Sequence, residues 1–319
     1  MSSIELPLRG IVPPMITPLS SPDTIDVEGA KRLTEHLIDG GVHGIFILGS
    51  TGEGPSLSAS LQRQLIEVTV RQAADRVPIL AGITDTCLAD SILLAESAAD
   101  LGVSAVVASA PSYYRIGQPE LLDYCRSLIA SLPLPLVLYN MPGLTKVSFE
   151  QETLRQLLQY DKVIGIKDSS GDLSVAAEYV EVANERPDWM VMTGPEELLA
   201  EALSMGVMGG VCGGANLFPR LFVDLYEAFN RNDSAQVQLL HNSVLQIGKS
   251  LYGVGKHGSS YIKGIKCALN FLGICDDHMA LPFTRFAELE RATIKQRLEQ
   301  LATDEAAGIQ AVMAGYSNA

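Results

Sequence analysis

Short apolar runs, each followed by a helical pattern, recur along the first two thirds of this chain, and no other feature restricts its fold so strongly. The runs lie at 10–12, 44–48, 77–81, 105–108, 135–139, 163–167, 190–192 and 210–212. Between them, amphipathic stretches such as 27–39, 59–74, 88–101, 119–131 and 196–205 carry apolar residues at helical spacing, and most close on a glycine such as Gly40, Gly102 or Gly206. Strands that are apolar on both faces need cover on both faces, which is the condition of parallel strands joined by helices. Eight such units predict an α/β fold, a (β/α)8 barrel of about 250 residues; a doubly wound open sheet is the alternative. From about residue 234 the strand signal stops, and three helical patterns (234–252, 260–271 and 284–313) predict a helical region packed on the barrel. The expected division is therefore a barrel over 1–232 carrying the site and a C-terminal helical region over 233–319.

Charge and composition exclude several classes. A net charge of -14 without a basic run leaves no surface for a phosphate backbone, so nucleic acid is not an expected partner. No apolar stretch approaches the roughly 20 residues that span a bilayer, and the N-terminus lacks a charged segment followed by an apolar one, so the expected location is the cytoplasm. The five cysteines and five histidines are scattered, with no C-x-x-C or H-x-x-x-H spacing, which predicts neither a disulfide framework nor a metal site. Cys212, beside glycines at a strand end, reads best as a small buried thiol.

In a barrel of this kind the chemistry sits on the loops after the strands. The sixth run, Val163-Ile164-Gly165-Ile166-Lys167, ends in an amine at the start of a loop. Removing water from such an amine favours its neutral, nucleophilic form, the requirement for a Schiff base, although strand-end lysines also serve simply to reach solvent. After the second run, Ser50 and Thr51 lie between Gly49 and Gly52, an arrangement that offers donors to a carboxylate or makes a tight polar turn. Tyr113 and Tyr139 stand at the fourth and fifth strand ends, where a phenol either relays protons or packs. Gly194 is followed by Glu196 and Glu197, which either complement a helix N-terminus or face substrate. Those carboxylates would repel a phosphate held by Gly209, Gly210, Gly213 and Gly214 at the last strand, which favours an uncharged, hydroxyl-rich substrate tail.

Taken in order, the motifs GSTGE (49–53), YNMP (139–142) and GIKDSSGD (165–172) resemble those of the dihydrodipicolinate synthase / N-acetylneuraminate lyase family of class I pyruvate-dependent aldolases. The resemblance runs from Gly10 to Gly273. It implies a TIM barrel with a C-terminal helical region, assembled as a homotetramer. It implies Lys167 as the amine that condenses with pyruvate or another 2-keto acid, with no cofactor beyond that covalent Schiff base, and Tyr139 as the proton relay beside it. Ser50 and Thr51 would hold the keto-acid carboxylate, Ser50 would link Tyr139 to Tyr113 reaching in from a neighbouring subunit, and Val211 would touch the pyruvyl group.

The sequence departs from the synthase pattern at one position. Synthases of the family carry an arginine two residues after the proline of the YNxP motif, for the aldehyde's carboxylate, and here that residue is Leu144. Sugar-acid lyases carry an uncharged residue there and acidic residues after the Gly194 position. The expectation is therefore cleavage or formation of a hydroxylated 2-keto-3-deoxy sugar acid or an N-acetylneuraminate-like substrate, with Gly194, Glu196 and Glu197 on the substrate side. The alternatives are a 4-hydroxy-tetrahydrodipicolinate synthase, a keto-sugar-acid dehydratase using the same lysine, and a binding protein that has lost turnover.

Overall fold

The structure, a computed structural model, describes residues 5–303. Ten strands occur in it: β1 (Gly10–Ile11), β2 (Leu19–Ser21), β3 (Thr24–Ile25), β4 (Ile45–Ile47), β5 (Ile79–Gly82), β6 (Ala105–Ser109), β7 (Leu136–Asn140), β8 (Val163–Asp168), β9 (Met190–Thr193) and β10 (Gly209–Gly210). The β2–β3 pair is a small antiparallel hairpin after β1, which the apolar runs did not announce. The other eight form one parallel sheet in the order β1-β10-β9-β8-β7-β6-β5-β4. Its two ends meet: Phe46 N–H donates to Pro13 O at 3.0 Å and Met15 N–H to Phe46 O at 2.8 Å, so the sheet closes on itself. The eight predicted strands are thus the eight staves of a barrel, and the open-sheet alternative is set aside. The first and last are only two residues long, shorter than their apolar runs.

Burial explains why the runs are apolar throughout. Alternate residues of one strand enter two different cores, as Val106 and Ala108 pack under the surrounding helices while Ala105 and Val107 fill the barrel. The same alternation along β7 places Leu136 and Leu138 outward and Val137 and Tyr139 inward. In β8 it is interrupted. Val163 faces out and Ile164 in, yet Ile166 faces out again, because the pairing slips between Leu136↔Val163 and Val137↔Gly165. This one-residue bulge reverses the phase of the strand and aims Lys167 inward; without it, Lys167 would follow the outward set. Gly165 permits the slip, since a Cβ there would collide with the side chain and carbonyl of Met190.

The region after the barrel is helical: Ser234–Ile247, a wide helical turn over Gly248–Tyr252, Ser260–Phe271 and Glu288–Thr303. The last helix starts four residues later than its pattern predicts, and 304–313 of that pattern lie outside the described residues. The region is pinned to the barrel by Lys266, whose ammonium is fully buried 2.5 Å from the carboxylate of Glu53 and donates to His278 O at 2.6 Å. The second Glu53 oxygen accepts from Ala280 N–H at 2.8 Å. Burial pushes the Lys266 ammonium down in pKa against the pull of Glu53, the mark of a charge kept dry by its partner. Among the described residues no helix is long and apolar enough to cross a membrane.

Candidate active site

The barrel brings Lys167 and Tyr139 side by side, because they are register partners on β8 and β7 and both point inward. The Lys167 Nζ lies 4.1 Å from the centroid of the Tyr139 ring and 5.3 Å from that of Phe46. Beneath it is the apolar interior of the barrel, where Val107, Val137, Met190 and Met192 line a small cavity that includes the lysine. The amine is therefore buried over a dry floor.

Above that floor the groups become polar. Ser50 Oγ is 3.4 Å from Tyr139 Oη. Burial pushes the Tyr139 phenol up, but the charge of Lys167, together with hydrogen bonds to Ser50, Ser169 and Lys167, pulls harder and leaves it below its ordinary value. A phenol held this way exchanges protons with the amine and with a bound hydroxyl more readily than one in water. Thr51, next to Ser50, is buried. The loop bearing them turns sharply: Glu53 adopts a left-handed conformation (φ 55°), and a Cβ on Gly54 would strike the backbone of Leu48. Val211, past β10, is buried in the barrel core and donates its N–H to Thr193 O at 2.7 Å.

The base of the lysine's loop is fixed by Asp168. It accepts from Asn140 Nδ2 at 2.7 Å, from Ser170 N–H at 3.1 Å and from Ser170 Oγ at 2.7 Å, while Asn140 Oδ1 accepts from Phe149 N–H at 3.1 Å. Two consecutive strand ends are thereby tied together one residue beyond Tyr139 and Lys167.

Lys167, Tyr139, Ser50, Thr51 and Val211 thus converge at the end of the barrel where strands become loops. Gly194 is beside them, since a Cβ there would strike Ser169 Oγ. Three other residues stand differently. Tyr113 is 87% exposed, at φ 73°, packed edge-to-face on Tyr114, and does not meet Ser50 within the chain. Glu197 is exposed. Glu196, expected to accept hydrogen bonds from a substrate, is turned inward: its oxygens accept from Tyr252 Oη at 2.6 Å and Gly214 N–H at 2.7 Å. Burial raises its pKa from 4.5 to about 7 despite those two hydrogen bonds. The same burial pushes the Cys212 thiol well up, in keeping with an inert core cysteine.

The sequence reading missed Ser169, Tyr252 and Tyr261. Ser169 lay within a quoted motif and needed only the geometry. The two tyrosines come from the helical region, 113 and 122 residues beyond Tyr139 in sequence, and stack edge-to-face with centroids 4.8 Å apart. Their only trace in the sequence is negative. A Cβ at Gly213 would strike Tyr261 Oη, and one at Gly214 would lie 2.6 Å from Tyr252 Oη, so the glycine pair leaves room for the two phenols.

A closed parallel barrel with a buried lysine at the C-terminal end of one strand and a register-paired tyrosine on the neighbouring strand is an architecture of pyruvate-dependent lyases and synthases. The chain belongs to the dihydrodipicolinate synthetase family, whose model matches residues 7–301. It is 47% identical to a dihydrodipicolinate synthase structure from Bacteroides thetaiotaomicron, covering 93% of this chain and 100% of that one with a TM-score of 0.91. A prophage protein of the family from E. coli K12, solved in complex with pyruvate, is 27% identical over 93% of this chain and 100% of its own, with a TM-score of 0.87. Among curated proteins, an uncharacterized DapA-like lyase from Halobacterium salinarum is 30% identical over 94% of this chain and 96% of its own length.

Proposed function

We propose that this protein is a Schiff-base aldolase in which Lys167 condenses with pyruvate or a 2-keto acid, and that the other product or substrate is a hydroxylated aldehyde. The observation that carries it is the inward-aimed Lys167 amine, set by the β8 bulge against a Tyr139 phenol of lowered pKa. The amine adds to the keto carbon and the carbinolamine loses water, giving an iminium. The iminium draws in the electron pair of the C3–C4 bond while the C4 hydroxyl gives its proton to the Tyr139 oxygen, which releases the aldehyde and leaves an enamine. Protonation at C3 and hydrolysis then free pyruvate and restore the amine, and the reverse order makes the bond. Ser50 and Thr51 hold the keto-acid carboxylate in this reading, Val211 borders its methyl carbon, and no cofactor is required beyond the covalent link to Lys167.

The hydroxylated partner is supported by Leu144. A second carboxylate left unpaired in the site costs several kcal/mol, and this half-exposed apolar side chain supplies no charge to meet one. With Glu196 committed to Tyr252 and Gly214, Glu197 is the carboxylate left to accept from hydroxyls. The reading carries with it a cytoplasmic homotetramer in which the exposed Tyr113 of one protomer completes the proton path of another. Named relatives favour a second reading, condensation of pyruvate with aspartate semialdehyde: one from Methanopyrus kandleri, 28% identical over 92% of this chain, is a 4-hydroxy-tetrahydrodipicolinate synthase. Dehydration of a keto sugar acid through the same iminium is the third.

One panel separates them. Pyruvate release is measured from 2-keto-3-deoxy sugar acids and N-acetylneuraminate, beside the condensation of pyruvate with aspartate semialdehyde, with borohydride trapping of the Lys167 adduct as the common readout. Pyruvate from a sugar acid supports the first reading; efficient condensation with no cleavage of any sugar acid replaces it with the second; a dehydrated keto acid without pyruvate gives the third.

A further inference from the structure

The loop that carries Ser50 and Thr51 is held in a shape that its own residues do not favour. Leu48 (φ 60°) and Glu53 (φ 55°) bracket it in the left-handed region, which bulky side chains rarely adopt, while Gly49, Gly52 and Gly54 stay out of that region. Such backbone persists only where the surroundings over-determine it. Within the turn, Glu53 N–H donates to Ser50 O at 3.1 Å and Gly54 N–H to Gly49 O at 3.1 Å. Thr17 Oγ1 donates to Gly52 O at 2.5 Å. The Glu53 side chain leaves the turn for the helical region, where it is fully buried: Lys266 Nζ lies 2.5 Å from Oε1, and Ala280 N–H donates to Oε2 at 2.8 Å. Lys266 is held in turn by His278 O at 2.6 Å. The carboxylate is thus gripped on both oxygens from outside the barrel, while the amide of the same residue closes the turn on Ser50.

We propose that Glu53, anchored by Lys266, is a positioning residue for keto-acid binding, acting through Ser50 and Thr51; this rests on the Schiff-base reading above. Both hydroxyls belong to the turn that Glu53 closes, so a displacement of residue 53 moves them together. A hydrogen bond weakens steeply as its angle departs from linear, and a carboxylate met by two donors on one turn loses both when the turn shifts. Ser50 Oγ also stands 3.4 Å from Tyr139 Oη, so the same turn sets the serine against the phenol. A glycine at position 53 would take the left-handed backbone without strain. The glutamate supplies what glycine lacks, a side chain that reaches the helical region, and the ion pair that docks the helices on the barrel is in this way the device that aims the donors of the site.

The test is the pyruvate concentration that gives half-maximal borohydride trapping, read beside the trapping rate at saturating pyruvate. Glu53→Gly with Lys266→Met removes both charges together, so that neither is stranded, and frees the turn. It should raise half-saturation about 10-fold, the upper end of one lost hydrogen bond, with the rate at saturation within about twofold of the parent. Glu53→Gln with Lys266→Met also leaves no unpaired charge and keeps an acceptor for Ala280 N–H; this milder pair should raise half-saturation about 3-fold and serves where the first does not fold. Urea midpoints establish which variants are folded. Adding Thr51→Val should cost less in the Glu53→Gly, Lys266→Met background than in the parent, because its hydroxyl is already misaligned there. Parental half-saturation in the folded glycine variant, or in the glutamine variant where only that one folds, overturns the proposal while leaving the Lys167 adduct intact, and so does a Thr51→Val loss of equal size in both backgrounds. Absence of any adduct on the parent protein removes the Schiff-base reading and this proposal together.

Discussion

Replacing Glu196 with glutamine should make the protein more stable than the parent by an amount that grows with pH. Burial holds the Glu196 carboxyl at about 7 against 4.5 for the free group, so folding favours its protonated form. Below about pH 4.5 the acid is protonated in both states and costs nothing. As the pH rises from 4.5 through 7, the unfolded chain gives up its proton first, and the folded state becomes progressively less favoured until the penalty levels off above 7. The gap of about 2.5 pKa units amounts to roughly 3 kcal/mol at pH 8. Between pH 5 and pH 8 the change is about 2.5 kcal/mol, on the order of 4 °C in the unfolding midpoint of a chain this long.

Glutamine suits the site because both of its hydrogen bonds survive: its oxygen accepts from Gly214 N–H, and its amide donates to Tyr252 Oη, which turns from donor to acceptor. The neighbouring Tyr252, Tyr261 and Cys212 are all pushed well above neutrality by burial and do not titrate in this window, while the nearby Glu197 adds to the upward push on Glu196. Urea denaturation of Glu196→Gln and parent at pH 5, 6, 7 and 8 measures the effect. A stability difference that stays flat across that range refutes the buried, proton-holding carboxyl.

Three further outcomes follow from the same geometry. Tyr139→Phe should lower kcat by on the order of 10² or more with little change in circular dichroism, because it removes the oxygen that exchanges the C4 proton; near-parental turnover would reduce the tyrosine to packing. Lys266→Met strands the Glu53 carboxylate in the dry interior and should destabilise the fold by about 3–5 kcal/mol in urea titration, whereas a loss under about 1 kcal/mol would mean the pair holds nothing together. Gly165→Ala forces a methyl against the Met190 backbone and should cut borohydride trapping at Lys167 at least about tenfold at matched pyruvate; unchanged trapping would mean that the aim of the lysine does not depend on the bulge.

The barrel was legible in the sequence because its physical demand is simple: strands apolar on both faces, separated by helices, leave few alternatives. Lys167 was legible as a strand-end amine, but its direction was not. Simple alternation from Val163 would send Lys167 outward, and only the bulge at Ile164 and Gly165 reverses this. Gly165 was the available signal, since a glycine inside an otherwise β-branched run marks a close backbone approach. Glu196 shows the opposite difficulty. Its position after β9 suggested a group facing substrate, and only the fold reveals that Tyr252, 56 residues later, arrives to take one of its oxygens. Tyr113, exposed at its strand end, meets none of Ser50, Tyr139 and Lys167 within the single chain.

The glycine pair at 213 and 214 ties these observations together. Read alone, a glycine-rich strand end in a barrel points to phosphate, and the adjacent carboxylates argued against it. The structure supplies the positive reason: each glycine is the floor under one phenol of the helical region. Three contacts then join that region to three separate strand ends, Lys266 with Glu53 after β4, Tyr252 with Glu196 after β9, and Tyr261 over Gly213 after β10. Because each passes within two residues of a group assigned to the keto acid or lies directly on the strand-end backbone, the helices after the barrel are part of the wall of the site. On the proposed Schiff-base reading, a change on their inner face should register first as weaker keto-acid binding, whereas a change at Lys167 or Tyr139 should register in the chemical step.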